Sequence, residues 1–457
     1  MRDINGSNQY RTKQRMIVIV NEVSMKNRSR QTTDIKYRFT VRRMRLLWRI
    51  FFNPVAIFTL LVVSNSLMLT NGHAQTRSDK YYVMVTGSKQ PVPRINFEPG
   101  PEYADRNRCF GIASSITRTP KGRLWCGFSS GGTGEGHENY CIVVKSDDNG
   151  ETWTPPYIVF DTDGDGPIRT DHVTVWTAPN GQLWIMWSQY PCGLGGPHSS
   201  LWCITSENPD AINPQWSRPR KIADEQNLLT TPTVLQDGTW IFPTGCWNRK
   251  AHPSRPLISR DQGKTFELGG PLHAEKNPDF DEYMVVERSN GTLVIFNRHS
   301  ESFLQCESFD QAKSWTRQKP NDIPHTNARF VFMKLNSGNW LLVKHGSLDS
   351  IPDVAETKFK QNKGRSHLTA FLSKDEGKTW IGGLLLDERP CSYPYGWQDG
   401  NGTIYISYER NRWNKPEILM ARFSEADVRA ATPVSKNMRL KILINKATCK
   451  VGKGPEN

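Results

Sequence analysis

The sequence predicts an all-β chain folded as a six-bladed β-propeller, and three observations support this. A turn glycine followed by an apolar strand recurs six times, an eight-residue turn motif recurs four times, and long helical periodicity is absent apart from a short stretch at 425–431. The 457 residues include 35 Gly and 29 Pro, which favours many turns over a helical bundle. The content of 15 Trp, 13 Tyr and 19 Phe argues against disorder.

The turn glycines set the number of blades. Most follow Asn, Asp or Ser, as a hairpin turn with positive φ requires. Successive glycines lie 47 to 64 residues apart, a period that suits one four-stranded antiparallel blade with its loops. Strands at 81–85 and 440–444 are expected to help close the ring. The six turn glycines are Gly122, Gly181, Gly238, Gly291, Gly338 and Gly402.

The second repeat has the pattern Ser-x-Asp-x-Gly-x-Thr-Trp and is interleaved with these turns. In it the Asp side chain is expected to accept backbone N–H groups, the Gly to take positive φ, and the aromatic residue to pack beneath the hairpin. We therefore assign the motif a structural role. Its copies span 146–153, 259–266, 373–380 and, with Ala312 in place of Gly, 308–315.

The first 74 residues differ from the rest in charge and hydropathy. They hold 13 Lys/Arg and 3 Asp/Glu, a net charge of +10, so only +4 of the total of +14 belongs to the remainder. An apolar run at 46–69 follows basic residues and precedes Gly72 and Ala74, as in a secretory signal peptide. An uncleaved membrane anchor is the alternative. The expected domains are an extension with signal peptide at 1–74 and a propeller with a short C-terminal tail at 75–457.

A signal peptide predicts export to the periplasm, cell surface or medium, with no membrane association after cleavage. The nearly balanced charge beyond residue 74 argues against a nucleic-acid partner. Met44 is an alternative start to Met1.

Nine cysteines follow residue 74, and none shows the paired short spacing of a zinc site. We expect neither a metal nor an organic cofactor. In an oxidising compartment, Cys126 with Cys141 and Cys192 with Cys203 are plausible disulfides, and free buried thiols are the alternative.

The eight-residue repeat resembles the Asp box of the sialidase (neuraminidase) superfamily and related BNR-repeat propellers. Other positions are similar to that family's site. Glu282 followed by Arg298 is similar to its glutamate and second arginine. Arg365, ahead of the third Asp box, is similar to its third arginine, and Tyr393 in the last blade to its tyrosine nucleophile.

The same resemblance leaves two positions open. The family's loop acid would be Glu138 or Glu135, in the glycine-rich loop 131–139. Its first arginine has no direct counterpart, because Gly111 stands at that place; Arg108, three positions earlier, or Arg329 would complete the set. A strand of period two points Arg108 away from the face of Gly111 unless a bulge intervenes.

These residue types suit an acidic terminal sugar. A guanidinium group is always positively charged and can donate two hydrogen bonds to one carboxylate. A neutral Tyr393 avoids the repulsion that a carboxylate nucleophile meets at an anomeric carbon bearing a carboxylate, and Glu282 would take its proton. The loop acid would protonate the leaving oxygen. The resemblance therefore implies an exported sialidase-like exo-glycosidase acting on glycans.

Two other functions fit the sequence. A polysaccharide lyase would cleave uronate-containing glycans by β-elimination, with His172, His345 and His367 as available bases. A glycan-binding propeller without catalysis is the second alternative, and in that case the arginines would serve binding or surface ion pairs alone.

Overall fold

The computed structural model describes residues 92–164, 168–190, 199–246, 253–275, 281–353 and 363–449. Within these ranges the chain is a six-bladed β-propeller, which confirms the predicted fold class. Blades 2, 4, 5 and 6 are antiparallel sheets of four strands that follow one another from the inner to the outer edge. Blade 1 has an additional first strand, Ile95–Asn96, at its outer edge, and blade 3 is divided into two sheets. The predicted signal peptide, the boundary at residue 75, the strand at 81–85 and the tail beyond 449 lie outside the described residues.

The three inner strands of blades 1 and 2 are seven to nine residues long and almost wholly buried. Blade 1 comprises β1 (Ile95–Asn96), β2 (Gly111–Arg118), β3 (Leu124–Ser130), β4 (Tyr140–Ser146) and β5 (Ile158–Phe160). Blade 2 comprises β6 (Arg169–Thr177), β7 (Leu183–Tyr190), β8 (Ser200–Ser206) and β9 (Arg220–Asp224).

Blade 3 is interrupted and forms two small sheets, whereas blade 4 is regular. Blade 3 comprises β10 (Asn227–Leu228), β11 (Thr233–Val234), β12 (Trp240–Phe242), β13 (Thr244–Gly245), β14 (Leu257–Ser259) and β15 (Glu267–Leu268). Blade 4 comprises β16 (Tyr283–Glu287), β17 (Leu293–Asn297), β18 (Ser302–Ser308) and β19 (Lys319–Pro324).

Blades 5 and 6 complete the ring. Blade 5 comprises β20 (Val331–Lys334), β21 (Trp340–His345), β22 (Leu368–Ser373) and β23 (Ile381–Asp387). Blade 6 comprises β24 (Ser392–Gln398), β25 (Ile404–Arg410), β26 (Glu417–Phe423) and β27 (Arg439–Lys446). The short helix α1 (Glu425–Ala430) lies between β26 and β27, where the sequence showed helical periodicity, and a capping box of Ser424 and Asp427 begins it.

Strands are counted outward from the axis, starting with β2 in blade 1 and β11 in blade 3. In this order the six turn glycines join the first and second strands of the six blades, and all have positive φ, between 83° and 102°. The Asp boxes join the third and fourth strands at the same end of the blades. In the first box Asp148 accepts hydrogen bonds from the Thr152 N–H at 2.9 Å and from its hydroxyl at 2.5 Å. The degenerate box keeps the same contacts around Asp310, with Ala312 at a φ of 65°. We call this end the turn end.

Apolar cores fill the spaces between neighbouring blades. Residues of blades 1 and 2 share one core around Trp125, Val173 and Trp187. An equivalent core around Ile116, Tyr405 and Met420 joins blade 6 to blade 1. Within the described residues the other neighbouring blades share cores of the same kind, so each blade packs both faces against its neighbours.

The ring closes between the first and last blades through covalent and backbone contacts. A disulfide joins Cys109, ahead of β2, to Cys449, after β27, across 340 residues of sequence. Beside it the Cys449 N–H donates to the Arg108 carbonyl at 3.2 Å. The predicted strand at 440–444 exists within β27, where it is the outer strand of blade 6.

The predicted Cys126–Cys141 disulfide is wrong, because both thiols are free and buried. They lie on neighbouring strands, but Cys126 pairs in register with Val144 and Cys141 with Ser129. The two side chains consequently face opposite sides of the sheet, one toward blade 6 and the other toward blade 2. Cys203 is likewise a free buried thiol, and Cys192 lies outside the described residues.

Candidate functional site

Three neighbouring inner strands carry a β-bulge near their start, in blades 6, 1 and 2. At each bulge a residue other than glycine has positive φ: Tyr393 at 52°, Ala113 at 58° and His172 at 55°. A bulge redirects a side chain that strict alternation would send elsewhere, and strained backbone of this kind concentrates at functional sites. These strand starts lie opposite the turn end, and we call their end of the ring the site end.

Four arginines surround the ring of Tyr393, which is 8% exposed. Arg298 also donates from Nη1 to the phenol oxygen at 3.2 Å. A cationic shell around a phenol stabilises negative charge on its oxygen and offers several donors to an anionic ligand. The Cζ atoms lie 5.5, 4.7, 5.5 and 4.4 Å from the ring centroid for Arg298, Arg329, Arg365 and Arg412.

Glu282 is the buried counter-ion of two of these arginines. Standing just ahead of β16, it forms a short ion pair with Arg298, and its Oε1 lies 3.2 Å from Nη2 of Arg329. Burial alone would raise the pKa of Glu282, but the charges of Arg298 and Arg329 outweigh burial and lower it to about 2. Glu282 is therefore ionised at neutral pH, and Arg298 bridges it to the phenol of Tyr393.

Asn327, between β19 and β20, fixes two of the guanidinium groups. Its side-chain oxygen accepts from Nε of Arg298 at 2.8 Å, and its carbonyl accepts from Nη2 of the same arginine at 3.0 Å. The same carbonyl accepts from Nε and Nη2 of Arg365 at 3.0 and 2.5 Å. Arg298, from blade 4, and Arg365, from blade 5, are thus held in one geometry by a single residue.

Arg412, just after β25, is positioned by the fully buried Glu409. Glu409 accepts from Nε of Arg412 at 2.8 Å, and its other oxygen accepts the strained Ala113 N–H at 2.5 Å. Glu135 of the glycine-rich loop reaches the same guanidinium, 3.8 Å from Nη1. Glu138 is exposed in that loop. Of the two predicted loop acids, Glu135 is therefore the one in contact with the arginine cluster.

His172 is paired with a buried carboxylate. Its Nδ1 lies 3.1 Å from Oδ2 of Asp171, which also forms a short ion pair with Arg169. Asp171 Oδ1 accepts the His172 backbone N–H at 2.8 Å. Burial opposes ionisation of Asp171, yet Arg169 and His172 hold its pKa well below the ordinary range. Next to Ala113, His172 and Arg329 line a narrow internal gap that has no room for a water molecule.

The other predicted residues have different surroundings. Arg108 lies at the ring closure, where Nη2 donates to Asn445 Oδ1 at 2.8 Å and to the Lys446 carbonyl at 2.9 Å. A Cβ at Gly111 would lie 3.1 Å from Pro416, a tight contact that disfavours a larger side chain at the place of the family's first arginine. The structure thus brings Arg329 to Tyr393, and Arg108 into contact with the last strand.

The remaining histidines differ from His172. Burial lowers the pKa of His345 to about 3, and its Nδ1 contacts the Ser366 carbonyl at 3.1 Å, so it is a neutral structural side chain. His367 has positive φ and is exposed. Neither is positioned like the histidine beside Asp171.

A larger cavity, of about 980 Å³, opens at the turn end. Trp176, Lys334 and Trp397 are among its lining residues, and the arginine cluster is not part of it. Because charged groups converge on Tyr393 instead, we place the candidate site at the site end. Among the described residues there is no cluster of three or more His, Cys, Asp or Glu able to hold a metal, and no helix long and apolar enough to cross a membrane.

The sequence reasoning did not identify Arg412, Asn327, Glu409 or the Asp171–His172 pair as parts of one site. The run Tyr408–Arg412 contains three charged residues at the end of an inner hairpin, which was an available signal for Arg412 and Glu409. Asn327 acts through its carbonyl as much as through its side chain, and no side-chain pattern marks such a contact.

Comparison with protein families gives one match: residues 122–406 fit the model described as BNR repeat-like domain. None of the curated proteins matches the chain.

Several solved structures share the fold at low sequence identity. The intramolecular trans-sialidase from Ruminococcus gnavus, in complex with oseltamivir carboxylate, is 11% identical over 72% of this chain and 97% of its own, with a TM-score of 0.54. The NanB sialidase K499G mutant from Streptococcus pneumoniae is 11% identical over 78% and 70%, with a TM-score of 0.53. A protein of unknown function from Dyadobacter fermentans is 15% identical over 68% and 93%, with a TM-score of 0.51.

Proposed function

The chain belongs to the BNR repeat-like domain family, and on that premise we propose that it is a sialidase-like exo-glycosidase that removes a terminal acidic sugar from glycans. The observation that carries this proposal is the phenol of Tyr393 enclosed by four guanidinium groups, one of which donates to its oxygen. Such an arrangement joins a carboxylate-binding surface to a nucleophile that is neutral in its protonated form.

Arg298, Arg329 and Arg365 are the groups proposed to hold the substrate carboxylate. All three are buried, and two are anchored on Asn327. Fixed donors of this kind bind a planar carboxylate without losing much side-chain entropy. Arg329 is proposed to serve in place of the family's first arginine, at whose position this chain has Gly111.

Tyr393 is proposed to attack the anomeric carbon, and Glu282 to accept the phenol proton. In the resting site Glu282 is a weak base, because Arg298 and Arg329 lower its pKa to about 2. A bound substrate carboxylate shares the charge of the same arginines and so makes Glu282 more basic. A separate acid/base group protonates the leaving oxygen and then takes a proton from the water that cleaves the glycosyl-tyrosine bond. Glu282 returns its proton to the phenolate, and the anomeric configuration is retained.

Export remains a proposal, and the Cys109–Cys449 disulfide supports it. Disulfides persist in oxidising compartments and are rare in a reducing cytosol. An exported enzyme also meets glycans directly.

The test is product analysis by mass spectrometry after incubation with sialylated and uronate-bearing glycans. The wild type is expected to release a free acidic monosaccharide, and Tyr393→Phe to lose about 10³-fold or more of that rate. Tyr405→Phe is the matched control: Tyr405 is in the same blade as Tyr393, but its hydroxyl contacts Asn149 of blade 1 at the turn end, so full activity is expected. Full activity of Tyr393→Phe contradicts the proposed mechanism.

A second candidate is β-elimination at a uronate, and the position of His172 beside Arg329 specifically favours it. An arginine can neutralise the uronate carboxylate while a histidine removes the neighbouring proton. A lyase yields an unsaturated product that absorbs in the near ultraviolet. Appearance of that absorbance, without release of a free saturated monosaccharide, decides for elimination.

A further inference from the structure

Blade 1 separates His172 from Tyr393 and contributes little bulk between them. The equivalent bulge in blade 1 carries Ala113, whose side chain is a single methyl group. Ala113 packs against Tyr393 on one side and lines a narrow internal gap with His172 and Arg329 on the other. The phenol of Tyr393 and the imidazole of His172 therefore lie on either side of Ala113, a residue with a small side chain.

Asp171 orients the imidazole. With Nδ1 at 3.1 Å from the carboxylate, the second ring nitrogen, Nε2, is directed away from Asp171. Arg169 and the His172 backbone N–H fix the carboxylate in turn. A carboxylate that holds Nδ1–H and stabilises the imidazolium is a device of proton-transferring histidines. Glu282 adds a second negative charge acting on His172, and Arg169 and Arg329 are the nearby positive ones.

The loop glutamates are less firmly positioned than His172. Glu138 is exposed, and Glu135 lies 3.8 Å from Nη1 of Arg412 in a loop. His172 lies on the inner strand β6 with a buried carboxylate beside its ring. Catalytic groups on strands are held more precisely than those on loops.

We propose that His172, oriented by Asp171, is the general acid and base of this site, a role that rests on the glycosidase function proposed above. As Tyr393 bonds to the anomeric carbon and loses its proton to Glu282, the glycosidic bond breaks. Its electron pair stays on the leaving oxygen, which takes the proton from Nε2 of His172. In the second half, His172 removes a proton from water while the water oxygen displaces the phenolate, which recovers its proton from Glu282.

The test compares two substrates that differ only in leaving group, 3′-sialyllactose and 4-nitrophenyl α-sialoside. A sugar alkoxide needs protonation to leave, whereas nitrophenolate does not. His172→Gln is expected to lower the rate of bond cleavage, measured in single turnover, by about 10²–10⁴-fold on sialyllactose. On the nitrophenyl substrate the same single-turnover rate is expected to fall by less than about 10-fold. Azide, which attacks without a general base, is expected to restore steady-state turnover of the nitrophenyl substrate.

Companion variants separate this role from a structural one. Asp171→Asn keeps the imidazole and is expected to show the same leaving-group dependence with a smaller loss, which also covers the case in which His172→Gln fails to fold. His273→Gln, an exposed histidine outside the cluster, is the control expected to match the wild type. Equal losses on both substrates, or a leaving-group effect in Glu135→Gln alone, overturn the assignment of His172. If the wild type hydrolyses neither these two substrates nor any glycan of the panel described above, the proposed function and this inference are both overturned.

Discussion

The turn end and the site end of the same blades are built from different kinds of contact. At the turn end each Asp box closes on itself: Asp148, Ser146 and Thr152 are hydrogen-bonded within seven residues of sequence. At the site end Arg298 contacts Tyr393 across 95 residues, and Ala113 contacts Glu409 across 296. The Asp boxes are local, repeated and mostly exposed units, although side chains such as Tyr405 reach them from the next blade. The site end is a buried network whose members come from different blades.

The largest expected effect comes from breaking the site-end network at Glu282. Glu282→Gln removes the buried counter-ion of Arg298 and Arg329, so we expect a loss of about 3–5 kcal/mol in the free energy of unfolding. Urea denaturation followed by tryptophan fluorescence measures it. Glu287→Gln, in the same blade but with a carboxylate that accepts the Gln236 N–H toward the turn end, is the matched control, with an expected loss of about 1 kcal/mol. Equal losses would contradict the contrast between the ends.

The next largest effect is expected from removing the disulfide that closes the ring. Cys109→Ser with Cys449→Ser is expected to lower the free energy of unfolding by about 2–5 kcal/mol, since the disulfide restricts a long loop of the unfolded chain. Thermal unfolding with and without reductant measures it. Reductant should lower the melting temperature of the wild type and leave that of the double variant unchanged. A wild type insensitive to full reduction would show that blade packing alone closes the ring.

A smaller effect is expected at an exposed carboxylate of the turn end. Asp148→Asn should lower the free energy of unfolding by about 1 kcal/mol at neutral pH, which is the typical net contribution of one hydrogen bond. The Thr152 hydroxyl and N–H lower the pKa of Asp148 from 3.8 to about 2. Because the folded-state pKa is the lower one, this stabilisation is complete above about pH 4 and disappears as the pH falls through 2. Melting temperatures of variant and wild type should therefore converge between pH 4 and 2, and a constant difference would refute the assignment.

The smallest expected effect is an increase in the stability of the folded protein. Ala312 holds a positive φ of 65° in the degenerate box, so Ala312→Gly should relieve strain and stabilise the protein by about 0.5–1 kcal/mol. The reciprocal change, Gly263→Ala, places a Cβ at positive φ and against the ring of Trp184, so it should destabilise the folded protein. Thermal unfolding of both variants checks the pair. Destabilisation by Ala312→Gly would mean that the box does not set its own backbone geometry.

This contrast also explains what the sequence could predict. The turn glycines and Asp boxes act within a few residues, so their spacing predicted the fold and the number of blades. Resemblance indicated Arg298, Arg365, Glu282 and Tyr393, which the structure brings together. Sequence alone did not choose between Arg108 and Arg329, because that choice depends on which strand faces the axis and on Pro416 filling the space beside Gly111.

Long-range pairings were the main failure. Nine cysteines offered many combinations, and neighbours in sequence were preferred, yet the bond formed between the two most distant ones. The bulges at Ala113 and His172 were equally hidden, since no glycine marks them. Their positive φ is imposed by packing and by contacts such as that of Glu409 with the Ala113 N–H.

The bond between Cys109 and Cys449 makes the folded polypeptide a topologically closed loop. A protease that cuts one surface segment between these residues releases no fragment, because both pieces stay attached through the sulfur atoms. The native ends of the ring are also close enough to be linked by a short peptide while the chain is opened elsewhere. A circular permutant beginning within any turn-end hairpin would preserve every blade and leave the opposite end of the ring untouched.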